Sequence, residues 1–348
     1  LKKATRSTKF QFDSYKIYAH RPGFSEEAWL QINRQGFRRS KDVQNAKPKS
    51  TFRAFLLGGS AAHGASSAAP YPIRHLYMNE TIDAYLEQKL KEKHRDHDFE
   101  IINAAVTAYQ VFQHTSYIVS ELIDYDPDVI IFFDGANDHY TVNPDYDFHA
   151  DNPYQFWKRR LQRPSLGGFV DYFALWLSEY SALSRGYFMW RLLGDASGNH
   201  ERKHLGTPAR PETSDAELMA LHKRAAKRQF LRSIELNLLL LRHFDIEVIL
   251  ALQPLLALRD DSYLSEAERG FRQVESGERR RALYPAIREE LRELAARYDV
   301  SFIDMIPVFN GSAGQQLLID YAHLTPMGSR LAAEAAKAMA AATAAMAA

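Results

Sequence analysis

Four residues, far apart in the chain, have the types that acyl chemistry at a carbonyl needs: Ser60, Asn137, Asp320 and His323. A serine hydroxyl is almost never ionised, and it attacks a carbonyl well only when a base within hydrogen-bond reach takes its proton. Histidine is the usual base, and a carboxylate on its other ring nitrogen holds the tautomer and stabilises the imidazolium. Asp320 and His323 lie three apart in a turn just before a helix start, so both side chains fall on one side of the backbone. This spacing lets the Asp320 carboxylate reach Nδ1 of His323 while Nε2 faces Ser60. The oxyanion formed on attack needs preorganised donors. Asn137 offers a side-chain amide, and the backbone N–H groups of Ser60 and Ala108 complete the expected hole, each donor being worth about 3 kcal/mol of barrier.

The elements that must position these residues start with the stretch around Ser60. An apolar run from Phe52 to Leu57 is stopped by Gly58 and Gly59, then comes Ser60, and Gly64 closes the segment. Such a run ending in glycines looks like a buried parallel strand meeting its loop. Open parallel sheets bind ligands beyond the carboxyl ends of their strands, where Ser60 would sit. Taken alone, the stretch also reads as an ordinary strand-to-helix turn with a serine N-cap. The downstream Asp320 and His323 favour the chemical reading.

Further strands are expected at 99–103, 129–133, 247–252 and 300–303. Helices are expected at 73–93, 110–124, 215–243 and 265–298, the last of these interrupted near Gly277. A final helix should start at Pro326 with Thr325 as its N-cap. Strand–helix alternation in this order predicts a right-handed parallel α/β sheet, here a flavodoxin-like three-layer sandwich with five strands. Ser60, Ala108 and Asn137 all follow predicted strand ends, and that coincidence of position weighs more than any single motif.

Residues 1–50 are polar and basic with scattered aromatics and read as an irregular N-terminal arm, partly packed on the main domain; the rest, 51–348, reads as one domain. Regularity is lost over 140–215, an insertion whose apolar part, 169–193, looks helical and aromatic. Three readings of it stand: a core-packed insertion, a lid or acyl-binding wall over the site, or a patch that docks on a membrane or partner.

Composition excludes several classes. Lys and Arg total 44 against 43 Asp and Glu, so a net charge of +1 offers no global attraction for nucleic acid. With no cysteines, disulfides, thiolate metal sites and cysteine nucleophiles are ruled out, while the compartment stays open. No apolar stretch reaches ~18 residues, so nothing in the chain reads as a membrane span. The chain opens at Leu1 rather than Met, which fits a trimmed or processed product and leaves room for a leader or anchor ahead of it.

The motifs together resemble the SGNH (GDSL-like) hydrolases, a family of esterases, lipases, thioesterases and carbohydrate deacetylases. Residues 58–64 look like the block that carries the nucleophile, 103–108 like the second block, Gly135-Ala136-Asn137-Asp138 like the third, and Asp320-Tyr321-Ala322-His323 like the last. The resemblance runs from about 52 to 340. It implies a serine ester hydrolase working through an acyl-enzyme, without a cofactor, on a small-molecule, lipid or glycan ester such as an acetylated carbohydrate. An O-acyltransferase acting on a polysaccharide with the same residues is the nearest alternative, and a non-catalytic binding domain is a third. Two positions depart from the family pattern: Gly59 stands where an aspartate is usual, and Ala108 where a glycine is usual. Gly59 and the approach Ile32 to Arg38 resemble exported or membrane-anchored bacterial members. From this come the expectations of an exported or periplasmic location and of cell-envelope or peripheral membrane association.

Other residues have two readings each. His63 could line the pocket, although a packing or capping role suits it better. Asp138 and His139 could contact substrate or belong to a surface loop. His94, Asp96 and His97 superficially resemble metal ligands, yet a solvated helix end accounts for them, and no metal is expected. Gly58, Gly59 and Gly64 form no phosphate-binding loop, because the lysine and the following Ser or Thr are missing.

Overall fold

A computed structural model of the chain describes residues 9–26, 29–65, 76–141, 220, 230–274 and 278–347. Five strands, β1 (Thr51–Gly58), β2 (Asp98–Asn103), β3 (Val129–Asp134), β4 (Glu247–Leu252) and β5 (Ser301–Asp304), form one sheet in the order 2-1-3-4-5. Every neighbouring pair is parallel. The resemblance to SGNH hydrolases implied such a sheet, and it is present.

All eight residues of β1 and all six of β3 are buried, which explains why their sequences are near-continuous apolar runs instead of alternating ones, interrupted in β1 by Arg53, which pairs with Glu100 at 2.7 Å. The two faces still sort by the period of two. Phe55, Leu57, Ile130, Phe132, Leu250 and Leu252 pack into one core layer. Ala54, Leu56, Ile131, Phe133, Ile249 and Ala251 pack into the other. The first layer is covered by α3 (Val111–Ser120), α5 (Arg232–His243) and α7 (Glu278–Tyr298), through Ile118, Leu238 and Leu291 among others. The second is covered by α2 (Ile82–Lys93) and α9 (Pro326–Ala347), with Leu86, Leu90 and the alanines 332, 333, 336 and 340. Small alanine side chains let α9 lie close against both its neighbour and the sheet. The remaining α-helices among the described residues are α1 (Ser60–His63), α4 (Ala136–Thr141), α6 (Glu266–Val274) and α8 (Met305–Asn310).

Strand order reverses at β1, whose neighbours are β2 on one side and β3 on the other. In open α/β sheets the crevice beyond such a reversal is where ligands bind. Register brings the strand ends level, with Leu56 opposite Asn103 and Gly58 opposite Phe133. The loops carrying Ser60, Ala108 and Asn137 therefore leave one edge of the sheet.

Some elements differ from expectation. α2 begins at Ile82, because residues 77–80 close a turn in which the Glu80 carboxylate accepts the Tyr77 N–H at 3.0 Å. α3 stops at Ser120, giving way to a 3₁₀ turn over Leu122–Tyr125 and a left-handed Asp126. The N-terminal arm contains two short hairpins, Phe10–Asp13 with Ile17–His20 and Ser25–Glu26 with Leu30–Gln31, too brief to leave a periodic signal. Phe37 anchors the arm in the core, its ring 5.3 Å from that of Phe55. Residues 142–215 of the insertion, 216–219 and 221–229 of the long helix expected from 215, and 275–277, where an interruption was expected near Gly277, lie outside the described residues. Among those described, no helix is long and apolar enough to cross a membrane.

Candidate active site

At the end of β1 the chain turns through Gly59, which takes the N-cap position of α1 with φ −87° and ψ −150°. Ser60 is thus the first helical residue and not the cap, which leaves its hydroxyl free for another partner. Oγ lies 2.6 Å from Nε2 of His323. Glycine at 59 is enforced by crowding, since a Cβ there would stand 2.0 Å from Nδ2 of Asn137. A larger residue at 59 would have to displace the Asn137 amide.

Asp320 and His323 sit in a loop whose backbone is held from several sides. Thr325 donates its N–H to Leu317 O at 2.9 Å, Ile319 donates to His323 O at 2.9 Å, and Leu318 and Leu324 form an antiparallel bridge. Nε2 of Gln253, one residue past β4, donates to Ala322 O at 2.9 Å, and the Leu256 N–H donates to Tyr321 O at 2.9 Å. Glu268 of α6, itself fully buried, accepts the N–H groups of Leu317 and Leu318 at 3.1 and 3.0 Å and pairs with the buried Arg259. As expected, Thr325 caps α9, its Oγ1 accepting the Gly328 N–H at 3.1 Å.

Within this loop Nδ1 of His323 is 2.8 Å from each carboxylate oxygen of Asp320. Oδ1 also accepts the N–H groups of Ala322 and His323, both at 2.9 Å. Burial by itself would raise the Asp320 pKa. The hydrogen bond and charge of His323, with the two backbone donors, outweigh it and hold the carboxyl well below the usual carboxylate range. An ionised Asp320 only accepts, so Nδ1 carries the proton and Nε2 is left to accept from the Ser60 hydroxyl.

On the other side of the crevice, Asn137 lies in α4, directly after β3 and Gly135. Its Nδ2 donates to Tyr109 O at 2.8 Å, which uses one amide hydrogen and leaves the second. Ala108 precedes that tyrosine in the loop after β2 and adopts φ +64°. A left-handed alanine costs about 1–2 kcal/mol that a glycine would not, so the surrounding loop holds Ala108 in this shape against its own preference. The structure therefore brings Ser60, Asp320, His323 and Asn137 together, with Ala108 one residue from the carbonyl that Asn137 holds.

His63 takes the packing role that its position favoured: it is fully buried, with its ring 4.8 Å from His20 of the arm. The surface-loop reading of Asp138 needs correction. The residue is 5% exposed and its Oδ1 accepts the Val111 N–H at the start of α3 at 3.1 Å. Burial first, then the nearby Asp134 charge, pushes the Asp138 carboxyl well above the usual range. Asp134, also buried, has His114 Nε2 at 3.1 Å. The side chain of His139 lies outside the described residues, while Asp96 and His97 are exposed. Among the described residues no three His, Asp or Glu side chains group as metal ligands would.

Sequence reasoning missed Glu268, Gln253 and Arg38, all of which hold backbone near the site. Nothing local singles them out, since Glu268 and Arg38 sit among other charged residues and Gln253 is neutral, and their partners are 50, 69 and 25 positions away.

No family model matches the sequence, and no curated protein matches it. Solved structures do. The acetyl xylan esterase AlAXEase is 13% identical over 83% of this chain and 99% of its own, with a TM-score of 0.43. A protein described as a GDSL-like lipase from Parabacteroides merdae is 12% identical over 84% and 96%, with a TM-score of 0.45. Axe2, an acetylxylan esterase from Geobacillus stearothermophilus, is 12% identical over 82% and 91%, with a TM-score of 0.40. Likenesses this remote carry no inference about the chemistry of this chain, which rests on its own site.

Proposed function

We propose that the chain is a serine ester hydrolase of the SGNH kind, with Ser60 as nucleophile, His323 as general base and acid, and Asp320 as the group that orients the ring. The observation that carries this reading is the unbroken line from Asp320 through His323 to the Ser60 hydroxyl, with contacts of 2.8 and 2.6 Å. Ser60 Oγ attacks the ester carbonyl while its proton passes to Nε2. The negative charge that develops on the carbonyl oxygen is met by the N–H groups of Ser60 and Ala108 and by Nδ2 of Asn137. Collapse breaks the bond to the alcohol, whose oxygen takes the proton from Nε2, and the acyl group stays on Ser60. Water then attacks the acyl-enzyme, giving its proton to His323, and the released acid leaves Ser60 restored.

The substrate class that fits is an O-acyl ester, on a carbohydrate or a lipid. Replacing Ser60 by alanine is expected to abolish hydrolysis of short acyl esters such as p-nitrophenyl acetate while the far-ultraviolet circular dichroism stays that of the parent. Turnover by Ser60→Ala at the parent rate would contradict the reading.

A further inference from the structure

A helix of one turn has little stability of its own, and α1 is only Ser60–His63. Its position depends on where its four carbonyls find partners. Two are taken by the turn that ends it: Ser60 O accepts the Ala65 N–H at 2.9 Å and Ala61 O accepts the Gly64 N–H at 3.1 Å. The other two meet side chains from distant parts of the chain. Ala62 O accepts from Nδ2 of Asn103, the last residue of β2, at 3.0 Å. His63 O accepts from Nη1 of Arg38, a residue of the N-terminal arm.

Arg38 is 1% exposed, and its guanidinium spans three separate segments. Besides His63 O, its Nη2 donates to Trp29 O at 2.8 Å and to Leu76 O at 2.6 Å, and its backbone N–H donates to Asn103 O at 2.9 Å. Gly64 leaves the space it occupies: a Cβ there would lie 2.3 Å from Nη1. A planar fork that bonds carbonyls in several directions is a property of arginine that a lysine ammonium does not reproduce.

We propose that Arg38 is a positioning residue for the nucleophile, so that the N-terminal arm completes the active site by fixing α1 from behind. This rests on the reading of Ser60 as nucleophile given above. It goes beyond that reading by making a segment outside the α/β sandwich a requirement for turnover.

The test is Arg38→Lys, which keeps the charge and loses the fork. In full-length protein folded by circular dichroism, kcat for a short acyl ester should fall about tenfold or more while KM stays within about twofold. The rate at which a fluorophosphonate labels Ser60 should fall by a similar factor. Parent-like kcat and labelling, or a loss confined to KM, overturns the proposal. If Arg38→Lys does not fold, Gly64→Ala displaces the guanidinium instead. Its control is Gly23→Ala, at φ +72° with nothing within 4 Å, which carries the backbone strain alone. Gly64→Ala should label at least about tenfold more slowly than Gly23→Ala, and equal rates overturn the proposal. If the parent itself neither turns over nor labels, it is the hydrolase reading that fails. The positioning role is then decided by amide hydrogen exchange over residues 60–65: faster exchange in the variant supports it, and unchanged exchange overturns it.

Discussion

Asp320 serves the histidine ring and its own backbone with the same carboxylate, so its removal has two separable consequences. Asp320→Asn keeps the size of the side chain but allows the wrong tautomer of His323, and kcat should drop by up to about 10⁴-fold. The folded carboxyl titrates below its unfolded value of about 3.9, so its stabilising contribution is complete above that pH and is lost as pH falls through the folded pKa. The stability deficit of Asp320→Asn relative to the parent should therefore be largest above about pH 4 and shrink below it. Urea unfolding across pH checks this, and a deficit that does not change with pH would contradict it. Residue types made this group legible, because a serine after two glycines and an Asp and His three apart have few other joint uses. The packing of His63 was the favoured reading, whereas the burial of Asp138 was not legible, since a side chain's identity does not say that its neighbours will enclose it.

Asp138 shows how one buried side chain ties two elements of the site together, joining α4 to the start of α3. Its folded carboxyl is raised, so the stability it confers is present below the unfolded pKa of about 3.9 and declines as pH rises toward the folded value. Asp138→Asn retains an acceptor for the Val111 N–H and removes that decline. The variant should gain stability over the parent from about pH 4 upward, and a difference that is flat with pH contradicts the burial of a protonated acid. Glu268 does the equivalent work for the last loop. Glu268→Ala strands the buried Arg259 and frees the Leu317 and Leu318 N–H groups, at a cost of about 3–5 kcal/mol in denaturant unfolding. A loss below about 1 kcal/mol would show that the loop is held in another way. The strands themselves could be read closely from sequence, because β1, β3 and β4 are apolar on both faces. Helix boundaries were less legible: the Glu80 turn before α2 and the left-handed Asp126 beyond α3 are local hydrogen-bond and backbone choices that periodicity does not record.

At the scale of the molecule, the two ends of the α/β sequence meet at one edge of the sheet, Ser60 after β1 and His323 before α9. Strand–helix alternation made that meeting foreseeable. That the arm packs partly on the domain was expected, but its points of attachment were not legible, since they are single buried groups, Phe37 in the core and Arg38 under α1, spread through a polar segment. The most direct measurement on the whole protein is intact mass after rapid mixing with short-chain acyl esters, compared between parent and Ser60→Ala. A serine hydrolase centre predicts a transient mass increase equal to the acyl group, mapped to Ser60 and missing from the variant. Ester hydrolysis that proceeds equally in both proteins, with no acyl mass on Ser60, would contradict the account.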